Sequence, residues 1–242
     1  MAHTQQRDFV ILLKTAFPSF FADNKVLEVG SLDLNGSVRE HFSGGQYIGL
    51  DVGPGPGVDV VCQGQDYDAP TGSFDVVISC EAMEHNLFWR QTFNNMLRLC
   101  RPGGLIIMTC ASTGRPEHGT RRTTPNEVPL IDWKDYYGNL EARDFERSIA
   151  LSDHLTTWMF YNDLSHWDLY FAGFKAGAAA PQHAPAALAA IRRHYPMKNL
   201  QNPKGLCKRL LMKVAGEQIF MAYLHGFRLT RITSRQTDIG VG

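Results

Sequence analysis

Glu81-Ala82-Met83-Glu84-His85 packs two carboxylates and an imidazole into five residues. On a helix that starts at Glu81, positions 81, 84 and 85 share one face. Such a face can hold a divalent cation, and oxygen-rich ligation suits Mg2+ or Mn2+. A cation-free reading stays open beside it. Glu81 is then a first-turn carboxylate favoured by a helix N-terminus. His85, whose ordinary pKa lies near neutrality, is then the catalytic base, with Glu84 beside it. Two more positions invite chemistry. Gly30 follows the apolar run Val26-Leu27-Glu28-Val29, and Asp51 closes Tyr47-Ile48-Gly49-Leu50. A glycine at a strand end lets backbone approach a ligand, and a carboxylate ending the next strand can grip both hydroxyls of a ribose. Singly each reads as a turn or a cap; together they point to nucleotide-type binding.

These residues need a sheet to carry them. Short apolar runs predict strands at Val26–Val29, Tyr47–Asp51, Asp59–Cys62, Phe74–Ser79 and Leu105–Cys110. Between them, Phe9, Leu12, Leu13 and Phe17 recur at helical spacing before Pro18, Ser37–Phe42 reads as a helix, and Leu87–Cys100 reads as another, stopped by Arg101-Pro102-Gly103-Gly104. Gly53-Pro54-Gly55-Pro56-Gly57 forces a loop. Strands alternating with helices predict an α/β, Rossmann-like, doubly wound sheet, mostly parallel. Glu141–Leu151 reads as a helix, and Thr157–Tyr161 with Leu169–Phe174 as a C-terminal antiparallel strand pair. Gly177-Ala178-Ala179-Ala180-Pro181 reads as a junction, dividing the chain into a domain at 1–177 and a basic, helical C-terminal extension at 178–242 that packs on the same domain.

Composition narrows the classes. With 24 basic and 24 acidic residues in 242, no global field selects nucleic acid or anionic lipid. The five cysteines stand singly and several lie in apolar runs, which argues for reduced, buried thiols over a disulfide or zinc scaffold. The polar start of the chain has no leader-like apolar core, and no apolar run spans a bilayer. The expectation is a cytoplasmic protein without a membrane span. Nothing in the sequence fixes an oligomeric state.

Val-Leu-Glu-Val-Gly (26–30), Tyr-Ile-Gly-Leu-Asp (47–51), Ser-Phe-Asp-Val-Val-Ile-Ser (73–79) and Leu-Cys-Arg-Pro-Gly-Gly-Leu (99–105) resemble, in order and spacing, the motifs of class I, type 11-like methyltransferases that use S-adenosylmethionine (SAM). The resemblance covers roughly the first two-thirds of the chain. It implies that Glu28, Gly30 and Ser31 face the methionine end of SAM, that Asp51 holds the ribose, and that Val52 packs on the adenine. Gln63 and Gly64 would meet the adenine edge, while Ser79 and Cys80 would line the sulfonium region. The sequence departs from the family after the first strand, where Ser31 to Asn35 replaces further glycines, and at Gln63, where an Asp is common. A nicotinamide enzyme would want G-x-G-x-x-G, which Gly30 to Gly36 does not provide.

The Glu-x-x-Glu-His stretch is similar to that of ubiquinone-pathway O-methyltransferases and small-RNA 2′-O-methyltransferases, in which it and a later histidine hold a metal. The resemblance implies Glu81, Glu84, His85 and His118 as ligands. The loop beyond the fifth strand carries Arg115, His118, Arg121 and Arg122, followed by Tyr136-Tyr137. Loops at this edge shape acceptor pockets, which makes Arg115, His118, Tyr136 and Tyr137 candidate substrate residues. The loop also resembles those of methyltransferases associated with surface polysaccharides. The leading expectation is O-methylation of a hydroxylated small molecule such as a sugar, nucleotide- or lipid-linked. One alternative is an RNA 2′-O-methyltransferase using the basic residues between Arg192 and Arg235, including an amphipathic stretch at Leu206, Leu210, Leu211 and Val214. Another is a SAM-fold binding protein without activity. A segment of that kind more often docks its apolar face on its own domain, which favours the small-molecule acceptor over nucleic acid.

Overall fold

A computed structural model describes residues 4–34, 36–123, 136–163 and 165–200, with side chains to 195. The apolar runs become strands β1 (Lys25–Val29), β2 (Gln46–Asp51), β3 (Val60–Val61), β4 (Phe74–Cys80) and β5 (Cys100–Ala111), all parallel. Two further strands, β6 (Leu155–Asp163) and β7 (Asp168–Lys175), form an antiparallel pair, and β7 also runs antiparallel to β5. The spatial order is β3-β2-β1-β4-β5-β7-β6. The winding reverses between β1 and β4, so a crevice opens beyond their carboxyl ends, where open α/β sheets bind ligands.

Alternation along each buried strand feeds two cores. On one face, helix α2 (Trp89–Leu99) lays Phe93, Met96 and Leu97 against Leu27, Val77, Ile106 and Met108, joined by Phe145 of α3 (Ala142–Ser148). On the other, Phe9, Val10 and Leu13 of α1 (Thr4–Ala16) and Leu188, Ile191 and Tyr195 of the C-terminal helix cover Val26, Val76, Ile78, Leu105, Tyr170 and Phe174. That C-terminal helix is α5 (Ala184–Leu200), preceded in the chain by the short α4 (Leu151–His154). The expected extension at 178–242 thus begins with a helix packed on the sheet. Its basic stretch from Lys204 to Arg235, with the amphipathic segment at 206–214, lies outside the described residues. Among the described residues, no helix is long and apolar enough to cross a membrane.

Three expectations are corrected. The helix expected at Ser37–Phe42 is a single 3-10 turn at Arg39–His41, because the few residues before Gly44-Gly45 cannot repay helix nucleation once Val38 is docked in the core. The helix expected at Glu141–Leu151 breaks into α3 and α4, since the α3 C-cap at Ile149 is extended. No helix starts at Glu81. Its N–H donates to Thr109 O, prolonging the β4–β5 ladder, and its φ of 54° then turns the chain into a 3-10 turn at Met83–His85.

Phe93 is fully buried with its ring against Phe145 and Phe171. Phe93→Ala is expected to cost about 3–5 kcal/mol through lost burial and an uncollapsed cavity, measured as a lower urea midpoint with an unchanged m-value.

Candidate active site

The half of the crevice that carries Gly30 and Asp51 is built from two interlocked loops. Gly30 and Ser31 both donate to Leu50 O, at 2.8 and 2.9 Å, and Asp33 N donates to Pro56 O at 2.8 Å. The contact leaves no room for side chains on the second loop. A Cβ on Gly49 would sit 2.3 Å from Gly57 O and 2.6 Å from Ser31 Oγ, and one on Gly57 would sit 2.7 Å from Ser31 O. The glycines missing after β1 therefore reappear within β2, at Gly49, and beyond it, at Gly57, where they let the two loops close together. Gly30 itself has φ of 84° and abuts Ala82, which ties this half to the turn after Glu81.

Asp51 is fixed by that interlock. Its Oδ2 accepts Leu32 N at 3.0 Å and its Oδ1 accepts Val52 N at 2.8 Å. The Gly53 N–H also bonds this carboxylate. Burial raises the Asp51 pKa despite these amides. Val52 is half-buried, Gln63 Oε1 accepts from Gln65 Nε2, and the buried Gly64 gives its carbonyl to Asn95 Nδ2 at 2.8 Å. Glu28 accepts the Tyr47 hydroxyl at 2.8 Å, and burial lifts its pKa to about 6. Ser31 Oγ and Ser79 Oγ are buried without hydrogen-bond partners, so polar atoms stand ready along this crevice. Cys80 is packed into the α1-side core, where burial pushes its thiol far above the ordinary range.

Beyond β4 the acids divide. Glu84 is fully buried; no side chain bonds its carboxylate, which is met by the backbone N–H groups of Glu84 itself and Ala111. One ligand-capable atom each from Glu84, His85 and His118 lies within 4.8 Å of the others. Glu81 is not part of this group. Its Oε1 accepts the Thr109 hydroxyl at 3.1 Å and its Oε2 lies 3.9 Å from Arg115. The separation follows from the left-handed Glu81 backbone, which cancels the helical spacing that would align positions 81 and 84. A non-glycine residue at positive φ is uncommon and concentrates at functional turns.

Tyr137 completes the opening. Its ring meets His85 and His118 at 5.4 and 5.1 Å, and the two imidazoles meet at 4.9 Å. A strap holds it there: Gly138 N donates to Glu84 O at 2.9 Å and Asn139 Nδ2 to Arg115 O at 3.0 Å. His118 Nδ1 lies 3.1 Å from Pro116 O, a contact that calls for a proton on Nδ1 and leaves the lone pair on Nε2. Tyr136 sits apart from these rings, in the field of Arg90 and Asp144. Arg115 is turned inward, onto Asp168 and the His166 carbonyl, while Arg122 pairs with Glu117 and Arg121 is exposed. Thr109, Asn139 and Asp168 were not foreseen from the sequence; Asp168 had one signal, a lone acid heading the apolar run Leu169 to Ala172.

Burial dominates the electrostatics. It pushes Glu81 and Glu84 well above the ordinary carboxylate range, and it lifts Asp168 to about 8. It also lowers His85 to about 3, with His118 adding to the effect, so the imidazole is neutral at working pH.

With this geometry in view, the relatives fall into place. Residues 27–108 match the family described as a methyltransferase domain. No curated protein matches the chain. Among solved structures, Haemonchus contortus phosphoethanolamine N-methyltransferase 2, bound to phosphomonomethylethanolamine and S-adenosylhomocysteine, shares 18% identity over 70% of this chain and 53% of its own, with a TM-score of 0.50. The chain thus spans about half the length of that protein. Burkholderia thailandensis 1,6-didemethyltoxoflavin-N1-methyltransferase matches at 12% identity over 73% of this chain and 92% of its own, TM-score 0.46. The N-methyltransferase NodS of Bradyrhizobium japonicum matches at 14% over 73% and 89%, TM-score 0.46. The matched segment, about a third of the chain, is similar to a methyltransferase domain, and the seven-stranded, mostly parallel sheet has the Rossmann-like α/β fold of the first of these structures.

Two outcomes follow. Asp51→Ala should weaken SAM binding about 10- to 100-fold, the loss of hydrogen bonds to a charged group, read by calorimetric titration. Second, the site acids bind protons more tightly folded than unfolded, so stability falls as pH rises toward their folded pKa values. His85 acts in the opposite sense, but only below its unfolded value. Thermal midpoints should therefore decline from about pH 6.5 to about pH 8, and Glu84→Gln should flatten that slope.

Proposed function

We propose that this chain transfers the SAM methyl group to a hydroxyl of a small-molecule acceptor, a sugar-like compound in the first instance, and that Glu84, His85 and His118 hold a divalent cation beside the acceptor. The observation that carries this reading is Glu84, a fully buried carboxylate with no side chain bonded to it, faced by two imidazoles. Leaving such a group uncompensated is costly, and a cation would satisfy it. The donor set fits: one carboxylate and two imidazoles suit Mn2+ better than Mg2+, which prefers oxygen and retained water. A bound cation would supply Lewis acidity that makes an acceptor hydroxyl a better nucleophile.

The remaining work falls to the protein's own groups. His85, held neutral, favours ligation over general-base duty, since a base with so low a pKa would accept a proton poorly. Tyr137 and the strap at 136–141 enclose the acceptor, and Asp51 with the two loops orients the donor, so that positioning carries much of the rate. The sugar assignment rests on the likeness of the loop at 112–124 to polysaccharide-associated relatives. Because Arg115 is engaged internally, it is not offered to an acceptor phosphate. The RNA alternative draws on basic residues that lie mostly outside the described part of the chain.

Mn2+ titration followed by electron paramagnetic resonance is expected to show a saturable site in the wild type. Glu84→Gln should weaken it about tenfold or more and leave SAM affinity within about twofold. A wild-type protein that binds no Mn2+ would remove the cation from this proposal.

A further inference from the structure

Arg115 lies on the protein's inner side, and what holds it there is Asp168. This carboxylate heads β7 opposite Ala111, fully buried. Its Oδ1 accepts Arg115 Nη1 at 2.8 Å, and its Oδ2 accepts Gln6 Nε2 at 2.7 Å and the Tyr170 hydroxyl at 3.4 Å. The same Nη1 donates to His166 O at 3.0 Å, and Nη2 lies 3.9 Å from Glu81 Oε2. Glu81 is anchored at its other oxygen by Thr109. A continuous line of contacts therefore runs from α1 through Asp168 and Arg115 to Glu81, and it stops short of Glu84.

Stopping there is informative. A guanidinium in a desolvated pocket seeks the carboxylate with the most unsatisfied lone pairs. By that measure Glu84 is also an open partner, because no side chain bonds its oxygens, which face only backbone N–H groups, while Glu81 already has Thr109. The Glu84 charge also reaches Arg115 and helps raise its pKa, together with Asp168 and Glu81 and against the effect of burial. The guanidinium nevertheless sits on the Asp168 side, with one arm on Asp168 and the His166 carbonyl and the other toward Glu81.

We propose that Asp168 is a positioning residue for the cation site: by fixing Arg115 against Glu81, it keeps the guanidinium off Glu84 and reserves that carboxylate for a cation shared with His85 and His118. The inference rests on the proposed cation site and explains why an arginine can stand so near it without occupying it. Arg115 is thereby an internal counter-charge for two acids, Asp168 and Glu81, and not the acceptor-binding residue its place in the loop suggests.

The test uses the full chain and Mn2+ alone as probe, with SAM affinity reporting that each variant is folded. Asp168→Asn should release Arg115 toward Glu84 and weaken Mn2+ binding about tenfold or more. The double variant Asp168→Asn with Arg115→Met removes the competing guanidinium and should bind Mn2+ more tightly than Asp168→Asn alone. A purely structural role for Asp168 would instead make the double variant as weak or weaker, and that result would overturn the proposal. Equal Mn2+ affinity of Asp168→Asn and wild type would overturn it too. If Asp168→Asn no longer binds SAM, Arg115→Lys decides. Its single ammonium cannot span Asp168 and Glu81, so weakened Mn2+ binding supports the clamp and unchanged binding sinks it. A wild type that binds no Mn2+ defeats the cation site and this inference together, whereas normal wild-type binding with insensitive variants defeats this inference alone.

Discussion

Arg115 sits between Asp168 and Glu81 in a pocket that water scarcely reaches, and the acceptor side of the molecule is arranged around that contact. Carboxylates stripped of water raise their own proton affinity or find a positive partner. Here both responses occur. Asp168 and Glu81 share a guanidinium, and Glu84 is left with two imidazoles and backbone N–H groups. The loop that delivers Arg115 and His118, the strap that delivers Tyr137, and the strand that delivers Asp168 each bond to one another or to the Glu84 turn, so none of them can move alone.

The donor side solves a different problem. A nucleotide crevice needs backbone close to the ligand, and glycines usually provide it within the first loop. In this chain the first loop is bulky, and closeness comes from a second loop whose glycines admit Ser31 and Leu32. The Leu32 amide thereby reaches Asp51, and that carboxylate is oriented by the same contact that joins the loops. Gly30 against Ala82 then links donor and acceptor halves across one residue pair.

Much of this was readable from residue order. Runs such as Val26–Val29 and Phe74–Ser79 are too short for helices and too apolar for loops, and each ends where the crevice lies. The convergence of Glu84, His85 and His118 was also accessible, because a turn after β4 and a loop after β5 must meet beyond the same sheet edge. What escaped were features set by tertiary contact. The left-handed backbone at Glu81 has no glycine or asparagine to announce it, and it overturned the helical spacing that grouped Glu81 with Glu84. The partnership of Asp168 with Arg115 spans 53 residues and passes between two strands whose pairing had to be known first.

The bond from Gln6 to Asp168 joins residues 162 positions apart. Six strands, β1 to β6, lie in the chain between α1 and the carboxylate it meets at the head of β7. Closing so long a span is entropically slow and yields its reward late. The bond that fixes Asp168 is therefore expected to close late in folding, after the nearer β1–β2 contacts that join the two glycine-lined loops.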